Sequence, residues 1–168
     1  MTIHTVNNKI EEKVLRTKTK PFDFSKFSKK ETRELVKTMR QTMIAAQGIG
    51  LAANQIGLDI SVFVARQEDK FYAIFNPIIT HSISETVLLE EGCLSVPGLY
   101  GTVNRNEKIV LEGQDQNGKK IKIKAWGLLA HIFQHETDHL NGKLYIDKAT
   151  RTYTRAESER LKNREKHS

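Results

Sequence analysis

The stretch that decides the fold is Gln134-His135-Glu136-Thr137-Asp138-His139-Leu140. His135 and His139 are four residues apart, so a helix places both side chains on one face, where they can bind one metal ion. Glu136 completes a His-Glu-x-x-His pattern, in which the carboxylate acts as a general base on water. The stretch therefore predicts a helix that carries two metal ligands and a base.

The flanking sequence supports this helix. Residues 126–141 contain no proline, and Gly142 follows at a position where a left-handed residue commonly ends a helix. Apolar residues recur at helical spacing, namely Leu128, Leu129, Ile132, Phe133 and Leu140. The histidines lie on the same stripe as Leu128 and Ile132, which predicts that the histidines extend a buried face. The alternative is a buried helix whose histidines only satisfy local hydrogen bonds.

Composition indicates one soluble globular domain over residues 1–168, with 38% hydrophobic and 28% charged residues. No apolar run is long enough to span a membrane, and residues 1–20 lack the apolar core of a signal peptide. The single cysteine, Cys93, excludes an internal disulfide and fits a reducing compartment. The net charge of +7 favours polyanionic surroundings, and residues 150–168 form a polar, basic, helix-compatible tail.

Other segments predict an N-terminal helix and a set of short strands. Ser28 and Glu31 form a capping box that starts a helix, which Gly48 is expected to end. Residues 1–27 are interpreted as an extended segment that packs its phenylalanines on the core. Strands are predicted at 60–65, 71–75, 86–89, 108–112 and 120–124, with turns at 67–70 and Asn117-Gly118 and a strand break at Asn76-Pro77.

Two histidines leave a metal ion under-coordinated, because a hydrolytic site usually has three protein ligands and one open position. His131 continues the spacing of His135 and His139, but eight helical residues span about 12 Å, so one ion cannot contact all three. The third ligand must come from elsewhere in the chain. Cys93 is the only thiol, and two imidazoles with a thiolate suit zinc or ferrous iron.

Three blocks of the sequence together resemble the peptide deformylase family. They are Gly48-Ile49-Gly50-Leu51-Ala52-Ala53-Asn54-Gln55, Glu91-Gly92-Cys93-Leu94-Ser95 and the histidine stretch at 134–140. The blocks occur in the family's order with similar separations, and the resemblance covers about residues 10 to 150. It implies an α+β fold, in which small antiparallel sheets surround the metal-binding helix, with an N-terminal helix and a C-terminal helical tail.

The resemblance also implies an activity and its residues: hydrolysis of the formyl group from the N-terminal formyl-methionine of new polypeptides, releasing formate. It assigns Cys93, His135 and His139 to one metal ion, ferrous iron in the family, with zinc, nickel or cobalt possible. It assigns Glu136 to proton transfer, and Gln55 with the backbone N–H of Leu94 to the oxyanion. Gly50 belongs to the loop along which the substrate backbone lies.

The expected pocket for the methionine side chain involves Ile49, Leu128, His131 and Ile132, the alternative for the three apolar residues being ordinary core positions. His131 stands where the family usually has an apolar residue, which predicts a more polar pocket wall and an altered substrate preference. Tyr100 stands in a loop that lacks an arginine some relatives use, and is expected to contact the peptide or to be a surface aromatic.

Two supporting charge groups are less determined by the sequence. Similar proteins suggest that Glu91 and Arg105 form an ion pair behind Cys93, the alternative being two solvated charges. Asp138 either supports a ligand or faces solvent.

The expected partners are formyl-methionyl nascent peptides, with ribosome association through the basic tail and no membrane or DNA. The expected location is a bacterial-type cytoplasm, with an organelle matrix as the alternative. A general His-Glu-x-x-His metallopeptidase is the alternative function, although that class gives no reason for Cys93 or for the Gly50–Gln55 block.

Overall fold

The computed structural model describes residues 1–165, so positions 166–168 of the predicted helical tail lie outside the described residues. Four α-helices are present: α1 (Lys9–Leu15), α2 (Lys29–Ala45), α3 (Gly127–Leu140) and α4 (Arg155–Glu165). The eight strands are β1 (Gly50–Ala52), β2 (Val62–Gln67), β3 (Lys70–Ser82), β4 (Thr86–Cys93), β5 (Val96–Asn106), β6 (Lys108–Gln114), β7 (Lys120–Trp126) and β8 (Arg151–Thr154). Short 3-10 turns cover Phe24–Lys26, Ala53–Ile56 and Tyr145–Asp147.

The strands form two antiparallel sheets around α3. Five strands pair in the order β1-β2-β3-β6-β7, and three pair in the order β4-β5-β8. Helix α3 contacts strands of both sheets and carries the apolar residues Ile132, Phe133 and Leu140 into the main core. The predicted α+β arrangement of small sheets around the histidine helix is confirmed. Within the described residues, no helix is both long and apolar enough to cross a membrane.

The ends of α3 and α2 show which chain signals stop a helix. Gly142 follows α3 with φ of 70°, and a Cβ there would lie 2.5 Å from the carbonyl oxygen of Arg16, so the expected C-terminal glycine is confirmed. The capping box of Ser28 and Glu31 starts α2 as predicted. The predicted stop at Gly48 is wrong by one residue, because Gln47 adopts the left-handed conformation at φ 58°.

The N-terminal segment departs from the extended conformation predicted for residues 1–27. Helix α1 forms there because the side chain of Asn8 accepts hydrogen bonds from the backbone N–H groups of Ile10 and Glu11. Phe22 is buried in the core under α2, as expected, and Phe27 stacks on it at a centroid distance of 4.6 Å.

Strand β3 continues through the predicted break at Asn76-Pro77. Asn76 takes φ 49° and the register shifts between Phe75 and Ile78, so the chain makes a bulge instead of ending the strand. The Asn117-Gly118 turn between β6 and β7 is confirmed, with Gly118 at φ 78°.

Candidate metal centre and active site

Three side chains from two elements converge as a group that could hold a metal ion. Cys93 ends β4, and His135 and His139 lie one turn apart on α3. The Cys93 Sγ lies 3.1 Å from His139 Nε2, which lies 3.2 Å from His135 Nε2. All three ligand atoms lie within 4.8 Å of one another. The predicted ligand set is therefore brought together, although the chain separates Cys93 from the helix by about forty residues.

The donor set fits a divalent transition metal ion. Metal–nitrogen bonds of about 2.05 Å in a tetrahedral site separate neighbouring donors by roughly 3.4 Å, close to the separations seen here. Backbone N–H of Ser95 lies 3.4 Å from the Cys93 Sγ and the Gln55 Nε2 lies 3.6 Å from it, so both can donate to a thiolate. One thiolate and two imidazoles, supported in this way, suit zinc or ferrous iron.

A buried charge network contacts the candidate metal-binding histidine His135 on the side away from Cys93 and His139. Glu91 Oε1 accepts a hydrogen bond from Arg105 Nε at 2.7 Å, and its Oε2 contacts His135 Nδ1 at 2.7 Å. Arg105 also donates from Nη1 to Asp138 Oδ2 at 2.5 Å. The Nζ of Lys148 donates to the same Asp138 oxygen at 2.7 Å. The expected Glu91–Arg105 pair is confirmed, and Asp138 faces this network through Arg105.

His131 belongs to this network. Its Nε2 contacts the Glu91 carboxylate, and the residue is buried one turn before His135. Burial opposes ionisation of Glu91, but hydrogen bonds from His131, His135 and Arg105 outweigh it and hold the pKa of this carboxyl well below its usual range. Glu91 is therefore a buried anion that orients one metal-binding imidazole.

The two metal-binding imidazoles have different electrostatic surroundings. Burial is the main reason that the pKa of His139 falls well below its usual value, which favours the neutral, metal-binding form. Burial also opposes the charge on His135, but hydrogen bonds with Cys93 and Glu91 outweigh it and raise the pKa of that imidazole. At His139, Nδ1 has no hydrogen-bond partner among the described residues.

The Glu136 side chain is buried beside β1. Its Oε2 is buried without a hydrogen-bond partner in the part of the chain that the structure describes. Burial is the main cause that raises the pKa of this carboxyl to about 7. A Cβ on Gly50 would lie 2.2 Å from Glu136 Oε1, so only glycine at position 50 leaves room for the carboxylate.

Gln55 and Leu94 lie on the other side of the thiol. The Gln55 Oε1 accepts a hydrogen bond from the backbone N–H of Ala52 at 2.9 Å, and its Nε2 donates to Ser95 Oγ at 3.0 Å. These two bonds fix the side-chain amide with its nitrogen toward Cys93. Leu94 follows Cys93 in the turn that leads to β5, and both residues line the same cavity as Gln55.

A cavity of about 540 Å³ opens beside these groups. The predicted pocket residues all line it: Ile49, Tyr100, Leu128, His131 and Ile132. Ile49 and Leu128 are each about half exposed, at 47% and 49%, so they form the rim. Ile132 and His131 are buried and form the wall nearest the metal-binding histidines.

Three supporting residues were missed in the sequence. Asn54 donates from Nδ2 to the backbone carbonyl of His139 at 2.5 Å, Ser95 binds Gln55, and Lys148 binds Asp138. Asn54 and Ser95 lie inside two of the three blocks that carry the resemblance, so their position next to proposed site residues was a usable signal. Lys148 stands in no motif, and only the folded chain reveals its partner.

Comparison with known proteins agrees with this geometry. A model of the polypeptide deformylase family matches residues 3–155. A peptide deformylase of Halothermothrix orenii is 43% identical over 145 residues, which cover 85% of this chain and 92% of that protein. The crystal structure of peptide deformylase from Thermotoga maritima superposes with a TM-score of 0.80 at 33% identity, covering 89% of this chain and 97% of that one.

A second crystal structure, a peptide deformylase from Synechococcus elongatus in complex with actinonin, also has a TM-score of 0.80. It is 35% identical and covers 95% of this chain and 82% of that one. The sequence match extends over most of the chain and includes both the metal-binding group and the cavity. The chain therefore belongs to the polypeptide deformylase family.

Proposed function

We propose that this enzyme hydrolyses the formyl amide at the N-terminus of formyl-methionyl peptides, releasing formate and a free amino terminus. One observation carries the proposal: Cys93, His135, the buried Glu136 carboxylate and the Gln55 amide line a single cavity, and His139 completes the donor group beside Cys93 and His135. A metal-binding group, a proton carrier and an amide donor are together sufficient for amide hydrolysis. The proposed catalytic domain spans residues 1–168, with 150–168 as its basic tail.

The metal ion would be held by Cys93, His135 and His139, and we propose ferrous iron as the ion in the cell. When bound, a divalent ion of this kind supplies Lewis-acid activation of water and of a carbonyl group. Zinc, nickel or cobalt fit the same donor set. Glu91 contributes by orienting His135 through its Nδ1.

Glu136 is proposed to move the proton. A carboxyl group with a pKa near neutrality can accept a proton from the attacking water and later donate it to the leaving amine. Its unpartnered Oε2 leaves a free acceptor for that proton. The absence of a side chain at Gly50 leaves the space that the carboxylate occupies beside the cavity.

Gln55 is proposed to stabilise the oxyanion that forms at the formyl oxygen, together with the backbone N–H of Leu94. One N–H of Gln55 Nε2 is donated to Ser95 Oγ, and the other is directed toward Cys93 Sγ at 3.6 Å, a long contact that a substrate oxygen beside the thiolate would replace. A preorganised donor of this kind lowers the barrier because it need not reorient during the reaction.

Anaerobic purification followed by metal analysis and a formate-release assay on formyl-Met-Ala tests the proposal. We expect about one divalent ion per chain and rapid formate release from the ferrous form. A ferrous-loaded sample that releases no formate but cleaves internal bonds of longer peptides would instead identify a general metallopeptidase.

The pocket residues give a second expected result, which concerns His131. Its imidazole makes the wall around the methionine side chain more polar than an aliphatic residue would, so His131→Ile should favour methionine more strongly. We expect the ratio of kcat/KM for formyl-Met-Ala over formyl-Ala-Ala to rise by several-fold up to roughly tenfold. Tyr100→Phe is the matched control, since it keeps the aromatic ring, and an unchanged ratio in His131→Ile would contradict the assignment.

The proposed setting follows from the substrate. Formyl-methionyl chains are made on ribosomes of bacterial type, so the enzyme is proposed to act in a bacterial-type cytoplasm or an organelle matrix.

We also propose that the basic tail contributes to ribosome association, since six Lys or Arg and three Glu lie between Arg151 and Ser168. The tail is anchored, because Ser158 Oγ and Tyr153 Oη both donate to Glu90 Oε2.

A further inference from the structure

A row of lysines covers the outer face of the five-stranded sheet. Lys120, Lys122 and Lys124 alternate along β7 with residues that pack inward, so all three point away from the core. Lys108 on the neighbouring strand β6 lies on the same face, directly opposite Trp126. These four lysines and Trp126 are called the lysine–tryptophan face below.

The face carries an excess of positive charge. Lys122 pairs directly with Glu112 at 2.9 Å, both side chains of this pair are well exposed, and Lys120 interacts with the same carboxylate at longer range. Within residues 1–160, no carboxylate lies within 4 Å of the amines of the other three lysines. Such an exposed row attracts a polyanion, and neutralising phosphates along it releases bound counterions.

Trp126 gives the face a second kind of contact. It is the only tryptophan of the chain and is 66% exposed, although tryptophan is usually well buried. It ends β7 and immediately precedes α3, so its backbone is held by a strand and a helix. A fixed, exposed indole beside lysines offers a platform on which a nucleobase can stack.

Protection of a sheet edge explains part of this pattern but not all of it. Lysines on an edge strand such as β7 prevent pairing with other chains. Lys108 is on β6, which is not an edge strand, so edge protection does not require it. An exposed tryptophan works against that purpose, because it adds apolar surface at the end of the edge.

We propose that the lysine–tryptophan face binds a single-stranded segment of RNA, with lysines on the phosphates and Trp126 stacked on a base. The choice of RNA over DNA rests on the proposed function, because the substrate peptides are made on an RNA-rich particle. Leu128, on the rim of the cavity, is two residues from Trp126, so bound RNA lies beside the entrance for the peptide.

The single tryptophan makes the proposal directly measurable in the intact enzyme. A dye-labelled twelve-nucleotide RNA is titrated while its anisotropy and the Trp126 fluorescence are both recorded. We expect binding to quench the tryptophan, because a stacked base contacts the indole. Heparin, which is a polyanion without bases, should bind with little quenching. Binding of RNA without quenching would overturn the proposal.

Variants separate this face from other basic surfaces. In Lys120→Gln/Lys124→Gln, the slope of log K against log salt should be shallower by about 1.4, since each lost phosphate contact on a single strand accounts for roughly 0.7. Trp126→Ala should weaken RNA binding roughly fivefold or more. The matched control is Lys29→Gln/Lys30→Gln on α2, which removes two exposed lysines from another surface. It should change the salt slope and the RNA affinity by less than the variants of the lysine–tryptophan face do.

Two further measurements distinguish RNA from DNA and the lysine–tryptophan face from the basic tail. Removal of residues 159–168 keeps the Ser158 contact with Glu90 and should retain the RNA-induced quenching; complete loss would place the binding site on the tail and overturn the proposal. Tighter binding of single-stranded DNA of the same sequence would overturn the choice of RNA. Formate release from formyl-Met-Ala should be unchanged in the lysine variants, so loss of RNA binding is distinguishable from failure of the proposed activity.

Discussion

Glu136→Gln should lower kcat/KM for formyl-Met-Ala by about a hundredfold to ten-thousandfold, the range for loss of a general acid–base group. Glutamine has nearly the same shape, so it fits the space left by Gly50 without displacing that strand. It cannot carry the proton that the unpartnered Oε2 is positioned to accept. Formate release measured on samples with matched metal content checks the result.

The same variant should not be destabilised. Burial raises the pKa of Glu136, so keeping this carboxyl ionised in the metal-free fold opposes stability at pH values above its pKa. The neutral amide removes this cost of burying an ionised carboxyl group, so the free energy of unfolding should be unchanged or higher at pH 8. Glu112→Gln, at an exposed carboxylate, is the control for both measurements. Near-normal activity in Glu136→Gln would remove this residue from the proposed chemistry.

Glu91→Gln should lower the free energy of unfolding by about 3 kcal/mol or more, the effect of breaking a buried ion pair from one side. Arg105 is almost fully buried and keeps only Asp138 as a charged partner, while His135 and His131 lose the anion that contacts them. Urea unfolding at pH 7 measures the change. The exposed Lys122–Glu112 pair supplies the control, because Glu112→Gln should change stability by less than about 1 kcal/mol.

The pH dependence gives this prediction a sign. Because the pKa of Glu91 is held below its unfolded value, its ionised form stabilises the fold at pH values above that unfolded pKa of about 4.5. This contribution is lost as the pH falls toward the folded pKa. The stability difference between the wild-type enzyme and Glu91→Gln should therefore stay nearly constant between pH 7 and about pH 5 and shrink as the pH is lowered further, below the unfolded pKa. A difference that does not shrink below that pKa would show that the effect of Glu91 is not electrostatic.

Local pattern was sufficient for the elements that define the fold. Helix α3 was predictable because its apolar spacing, its lack of proline and Gly142 all indicate the same element. The turn at Asn117-Gly118 was predictable for a similar reason, since its residues favour positive φ. Helix α1 and strands β1 and β8 were missed because seven, three and four residues give too short a period to detect. The eleven-residue strand β5 was missed because the segment around Tyr100 was interpreted as a loop, which is wrong.

The site was predictable only in parts. His135, His139 and Glu136 follow from one motif on one helix. Cys93 and Gln55 belong to other segments, and spacing along the chain does not report that these segments meet, so the family resemblance was needed. The partner of Asp138 could not be found in this way, because Lys148 is one of many polar residues and only the fold selects it.

The end of α3 is closed by residues that are far away in sequence. The backbone N–H and hydroxyl of Thr19 both donate to the carbonyl of Leu140, 121 residues later, and Asn54 reaches the carbonyl of His139. During synthesis, Thr19 therefore cannot make these hydrogen bonds until residue 140 has been added to the chain. Contacts of such long separation slow folding, because the loop must close before the contacts form. An enzyme proposed to process unfinished chains thus completes the end of its own candidate metal-binding helix only after residue 140 has been made.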